Sequence, residues 1–276
     1  LEGADRALDA ALAVVQRYHG AAEGRLSVSL APRFILSCSE GLWRDVTAAS
    51  QERGLLVHTH MAEAPTEGAE VKGVVGQHAA PWFAEHGFMT ERFVGAHGVW
   101  LDDHEISLVK RANAALVHCP GSNLKLGSGI ADVRAWLRAG VRCGLGSDGA
   151  ACNNRLDTFH EMSLAAGVAR VKHRDDALTA SDVVALATCG GADALGMGDR
   201  IGSLEPGKQA DVVVVAADQV HHGPWPLRDV YTTIAHSMRP GDVRLTLVDG
   251  RVLYQRGRLT TLDAERCTIE ATREAQ

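Results

Sequence analysis

The feature that most constrains this chain is an alternation of short apolar runs with stretches of helical period, nearly every run ending in a polar residue. Apolar runs at 26–30 (LSVSL), 55–59, 93–96, 115–118 and 141–145 alternate with helical patterns at 4–18, 40–53, 69–86, 103–112 and 131–139. The runs close on "APR", "HTH", "GAHG", "HCP" and "GSDG". Repeated βα units of this spacing predict parallel strands with helical crossovers, and polar residues at the strand ends are where a (β/α) barrel keeps its active site. An open doubly wound sheet also gathers ligands at its strand ends. "GLGSDG" lacks the full dinucleotide fingerprint, however, and Asp148 would face a pyrophosphate, so the His and Asp residues at the strand ends favour a barrel. With 276 residues, 46% of them hydrophobic, the chain can bury a core of that size.

The texture changes after the helix expected at 180–188, which Thr179 and Asp182 open as a capping box. A continuous apolar strand at 211–216 follows a Gly/Pro turn, and "DVRLTLVDGRVLYQRGRL" reads as a hairpin about Asp249-Gly250. Residues 1–200 are therefore expected to form barrel, and 201–216 with 242–262 the strands of a small β appendage. Between them, 217–241 is a connecting loop and short helix packed on the barrel. His221, His222 and Trp225 in that connection are candidates for the rim of a site.

Charge and composition exclude several classes of partner. The formal net charge is −6 with no basic cluster, which argues against nucleic acid. No run approaches the length of a membrane span, and Leu1–Gly20 lacks the order of a signal peptide. The six cysteines are scattered without a C-x-x-C pair, as in a reduced protein, and a cytoplasmic location is expected.

His58 and His60 lie two apart on one strand and so share a face. Such a pair alone is weak evidence for a metal. His97, His118 and Asp148 end three further strands, and a carboxylate gathered among them needs a cation or a donor network. A divalent ion would satisfy it, and imidazole with carboxylate suits zinc or another first-row metal.

The segments "HTHMAE", "GAHGVWLDDHE", "HCPGSNLKLGSGIADV", "GLGSDGAACNNRLDTFHEM" and "IGSLEPGKQADVVVV" resemble, in this order, those of the amidohydrolase superfamily, specifically its cytosine-deaminase-like group. The resemblance runs from about residue 25 to 262. It implies a (β/α)8 metal-dependent hydrolase barrel, of which strands four to eight are counted here, with part of a small β-sandwich. It implies one divalent metal, zinc or alternatively iron, held by His60 and Asp148. Glu63 becomes the proton shuttle, and His97 and Asp148 accept the proton of the attacking water. His58 and His118 stand beside the metal without binding it.

Two further histidine ligands, a His-x-His pair on the first strand of the family's barrel, are missing from the sequence. The expectation is therefore a fragment whose N-terminal remainder is not given, or a second polypeptide that completes it. A homo-oligomer is also expected.

The implied reaction is hydrolytic deamination of an aminated purine or related azaheterocycle. Arg33, just past the first of these strands, would suit a ring carbonyl, since a guanidinium only donates. "PRF" and "SCSE" resemble guanine deaminases, so a guanine-like substrate is favoured. "DGAACNNRLDTF" instead resembles deaminases of methylthioadenosine, S-adenosylhomocysteine and 5'-deoxyadenosine, and triazine hydrolases belong to the same group. A metal-free scaffold protein or inactive fragment is the alternative of another class.

Overall fold

The computed structural model describes residues 3–223 and 229–275, and Trp225 lies outside them. In chain order the elements are α1 (Ala4–Tyr18), α2 (Glu40–Arg53), β1 (Val57–Met61), α3 (Glu67–Val75), α4 (Ala79–Glu85), β2 (Phe93–His97), α5 (Asp103–Arg111) and β3 (Ala115–His118). There follow α6 (Pro120–Leu126), α7 (Val133–Arg138), β4 (Arg142–Leu145), α8 (Thr158–His173), α9 (Ala180–Ala187), α10 (Cys189–Ala194) and β5 (Val212–Val215). The chain ends with α11 (Val230–His236), β6 (Val243–Val248), β7 (Arg251–Gln255), β8 (Arg258–Leu259) and α12 (Ala264–Glu274).

Strands β1 to β4 form one parallel sheet in sequence order, so all four C-terminal ends lie on one side. The register sets Met61 beside His97 and His118 beside Leu145. All five residues of β2 are buried, as expected of a parallel strand covered on both faces. Among the described residues the sheet is open, and the closed eight-stranded barrel is not formed.

The strand expected over 26–30 is reduced to a single bridge, Leu30 to Val57, so four parallel strands stand where five were counted. Leu30 N–H donates to Leu56 O and His58 N–H to Leu30 O, both at 2.8 Å, but Pro32 has no N–H with which to continue the ladder. Upstream, the Val28 N–H is taken by the His19 ring at 3.2 Å.

Other boundaries moved for local reasons. β1 starts at Val57 rather than 55 because Gly54, in the left-handed conformation, and Leu55, whose N–H donates to Ser50 O at 3.0 Å, still belong to the end of α2. The helical pattern at 69–86 is two helices, broken where Gly76 adopts φ +83°. Helix α6 was not foreseen, although Pro120 at its first position and a left-handed Gly127 after its end are ordinary signals. Helices α8 and α12 were also missed. The capping box of α9 forms as read: Thr179 N–H donates to Asp182 and Asp182 N–H to the Thr179 hydroxyl.

The second sheet is antiparallel, β5-β6-β7-β8. Its hairpin turns at Asp249 (φ +50°) and Gly250 (φ +75°), the mirror-image turn that matches strand twist. Helix α11 packs on α8 and α9. A second sheet facing β5–β8 is not present among the described residues, and Val213 is 56% exposed. None of the described helices is long and apolar enough to cross a membrane.

An aromatic cluster anchors the helical layer beside β1 and β2. Trp43 is fully buried with its ring 4.7 Å from that of Phe83, and Trp82 and Phe88 close around them. Each such side chain contributes about 1.5–3 kcal/mol by leaving water.

Candidate active site

His60, on β1, has its Nδ1 2.6 Å from the carbonyl oxygen of Arg33. A carbonyl can only accept, so Nδ1 carries the hydrogen and Nε2 keeps a free lone pair. The same carbonyl accepts from the His60 N–H and the Thr59 hydroxyl, each at 3.2 Å. Arg33 thus orients His60 through its main chain. The exposed Arg33 side chain makes no hydrogen bond or ion pair among the described residues.

His97 ends β2 with 1% exposure. Its Nδ1–H donates to Asn123 Oδ1 at 2.9 Å, while its buried Nε2 has no hydrogen-bond partner and lies 3.8 Å from Glu63 Oε2. Asp148 follows β4. Its Oδ2 accepts from the Ser122 hydroxyl and its Oδ1 from the Gly149 N–H, both at 2.6 Å. Burial works to raise this carboxyl, but the two hydrogen bonds, with His97 and Cys152, outweigh burial and hold it below its ordinary value.

Ligand atoms of His60, His97 and Asp148 all lie within 4.8 Å of one another, and the His60 and His97 rings stack at 5.3 Å. His97 (φ +75°), Asp148 (φ +62°) and Ala62 (φ +51°) all have left-handed backbone. Such strain, about 1–3 kcal/mol per residue, persists where the surroundings enforce it. A cavity of about 230 Å³ opens over the group, lined by Arg33, His58, His60, His97, Cys119 and Asp148 among others. A free imidazole lone pair, a low-lying carboxylate and an orphaned buried nitrogen fit a divalent first-row ion.

The remaining residues named from the sequence divide. His58 lines the cavity and is exposed. His118 does not line it: it is 1% exposed, edge-on to Trp136 at 6.2 Å, and burial, then His97, pushes its imidazole down to about 3. His221 and His222 are not at the rim of this cavity. Both Nε2 atoms reach Asp242 Oδ2, at 3.0 and 3.1 Å. Because the Gln219 N–H donates to His222 Nδ1, the His222 Nε2 carries its hydrogen and is a donor in a hydrogen-bonded knot, with no lone pair to offer a metal.

Sequence reasoning missed the residues that hold the site. Ser122 and Asn123, adjacent on α6, grip Asp148 and His97, and α6 is tied down by buried Glu161, which accepts from the Gly121 N–H at 2.8 Å and from Asn153 Nδ2 at 2.6 Å. A Cβ on Gly121 would lie 2.4 Å from the Glu161 carboxylate, so glycine is required there. Glu67, 5% exposed, accepts the N–H groups of Ala62, Glu63 and Ala64. Recognising Pro120 as a helix start was the available signal for the Ser122–Asn123 pair; Glu67 and Glu161 left none.

The Amidohydrolase family model matches residues 3–253. The 5-methylthioadenosine/S-adenosylhomocysteine deaminase of Desulforudis audaxviator (strain MP104C) is 38% identical over 276 residues, 100% of this chain and 64% of the relative. The crystal structure of an adenosine deaminase from Xanthomonas campestris with bound zinc superposes with a TM-score of 0.90 at 31% identity, covering 96% of this chain and 60% of that one. Escherichia coli guanine deaminase superposes with a TM-score of 0.83 at 27% identity, over 93% of this chain and 61% of that one. The chain thus spans about three fifths of the length of the proteins it matches. With its strand-end residues gathered on one rim and a family match extending over most of its length, the chain belongs to the amidohydrolase family.

Proposed function

We propose that this chain carries most of the active site of a metal-dependent hydrolytic deaminase acting on an aminated purine or related azaheterocycle. The observation that carries the reading is the convergence of His60, His97 and Asp148 within 4.8 Å, with Glu63 3.8 Å from His97. His60 and Asp148 hold the metal, zinc in keeping with the zinc-bound adenosine deaminase, together with two further histidines from a part of the barrel outside these residues. Residues 1–200 then belong to a closed (β/α)8 barrel, 201–216 and 242–262 to a β-sandwich, and 217–241 to the connection between barrel and sandwich.

A divalent ion so bound supplies Lewis-acid activation of a water at neutral pH. The chain's own residues move the protons. As a neutral ring whose Nδ1–H is donated to Asn123, His97 offers an Nε2 lone pair, and with Asp148 it accepts the proton of the attacking water. Glu63 protonates the ring nitrogen beside the carbon under attack. The proton taken from the water passes to the amino group, which leaves as ammonia as its C–N bond breaks, and the proton of the added hydroxyl restores Glu63. His58 and His118 set the surroundings without binding the metal: His58 at the cavity wall, His118 as a neutral ring behind it.

Two substrate readings have support. Identity of 38% to a deaminase named for methylthioadenosine and S-adenosylhomocysteine, against 27% to guanine deaminase, supports an adenosine derivative, which we prefer. The unpartnered Arg33 guanidinium supports a guanine-like ring with a carbonyl. Ammonia release from methylthioadenosine, S-adenosylhomocysteine, guanine and an aminated triazine, with the full-length protein, tests both. Release from none of them would refute deamination.

A further inference from the structure

We infer that Glu67 is a positioning residue, which fixes Glu63 by collecting every main-chain N–H of the segment that carries it. Between the end of β1 at Met61 and Thr66 lie Ala62, Glu63, Ala64 and Pro65. Proline has no N–H. The other three N–H groups all go to one carboxylate: Ala62 to Glu67 Oε1 at 2.6 Å, Glu63 to Oε2 at 2.6 Å and Ala64 to Oε2 at 3.3 Å. The Glu67 N–H closes the turn on Ala64 O at 3.1 Å. Successive N–H groups converging in this way make an anion-binding concavity, here filled from within the chain.

The helix itself does not need this arrangement. Glu67 is the first residue of α3, where a carboxylate in water would already suit the helix dipole. Instead it is 5% exposed, and a buried charge is tolerated only where its hydrogen bonds offset the lost hydration. What it holds is a strained segment, with Ala62 at φ +51°. That segment is also joined to the chain beyond His97, through Gly98 N–H to Met61 O at 3.0 Å and Trp100 N–H to Ala62 O at 3.1 Å. Glu63 and His97, 3.8 Å apart, therefore ride on one hydrogen-bonded frame, and Glu67 secures the Glu63 side of it.

The inference rests on Glu63 being the proton donor proposed above, and the test keeps the two apart. The full-length, zinc-loaded protein is compared with Glu67→Gln and Glu67→Asp. A carboxamide has one acceptor oxygen, so its NH₂ meets at least one main-chain N–H. Glu67→Gln should lower kcat by roughly 10- to 100-fold, the effect of misplacing a reacting group by about an ångström, with KM within about twofold and zinc content unchanged. Glu67→Asp should fall between it and the wild type. Hydrogen exchange should accelerate at Ala62–Ala64 and remain unchanged in β1 and β2.

An unchanged kcat, or parallel loss of kcat, zinc and melting temperature, would overturn the positioning role. If the wild type releases no ammonia from any substrate, the deaminase reading fails instead. The exchange data then stand alone: unaltered protection at Ala62–Ala64 in Glu67→Gln overturns the inference, and local loss upholds it.

Discussion

The Ser122 hydroxyl donates to Asp148 Oδ2 at 2.6 Å across 26 residues of chain, joining the start of α6 to the carboxylate that follows β4. Ser122 is fully buried, so this bond is not shared with solvent. Removing it in Ser122→Ala leaves one carboxylate oxygen free to turn. Zinc affinity should fall by about 10- to 100-fold, the usual cost of losing a hydrogen bond that orients a ligand. Competition with a chromogenic chelator measures it, and an unchanged dissociation constant would mean that the Ser122 hydrogen bond does not orient a metal ligand.

Glu63 has its Oε1 3.5 Å from the Ser128 hydroxyl and its Oε2 turned to His97. Glu63→Gln keeps the shape and removes the proton. Turnover should drop by about 10² to 10⁴, with metal content by elemental analysis unchanged. Loss of metal together with activity would make Glu63 a ligand.

Arg33→Met separates the two parts of that residue. The carbonyl that orients His60 survives and the guanidinium does not. Zinc binding should therefore be retained. On a guanine-like substrate kcat/KM should fall about 10- to 150-fold, the worth of a charged hydrogen bond, while methylthioadenosine should be unaffected. Equal losses on both rings would place Arg33 outside ring recognition.

His118 gives a pH dependence of defined sign. Its imidazole is pushed from an ordinary 6.5 down to about 3, by burial first and by His97 second. Between those values the unfolded chain binds a proton that the folded chain does not, so stability rises with pH and is lost as pH falls through this window. The residue alone contributes a slope approaching about 1.4 kcal/mol per pH unit. His118→Phe keeps an aromatic ring against Trp136 and removes the titration. Urea unfolding at pH 7, 6 and 5 should show a shallower loss in the variant, and parallel curves would mean that His118 is protonated in the folded protein.

By itself the sequence determined the βα alternation, the parallel sheet and which histidine and aspartate residues stand at its strand ends. A period of two puts His58 and His60 on one face wherever the strand lies, and a strand's end is marked by the turn residues that follow it. The capping box at Thr179 and the hairpin at Asp249-Gly250 were legible for the same reason: each is a contact between residues close in the chain. What the tertiary structure alone decided depends on long-range geometry. The loss of the 26–30 strand follows from Pro32, which has no N–H to extend the ladder past Leu30, and from the His19 ring, which takes the Val28 N–H. His118 and His97 look alike as strand-end histidines, yet one lies edge-on against Trp136 while the other, whose backbone turns left-handed at φ +75°, lies 3.8 Å from Glu63. Ser122, Asn123 and Glu161 were illegible because hydrogen bonds spanning 26 to 40 residues leave no local pattern. Sequence spacing can nominate ligands, but only the folded chain brings their lone pairs to a common point and supplies the donors that hold them there.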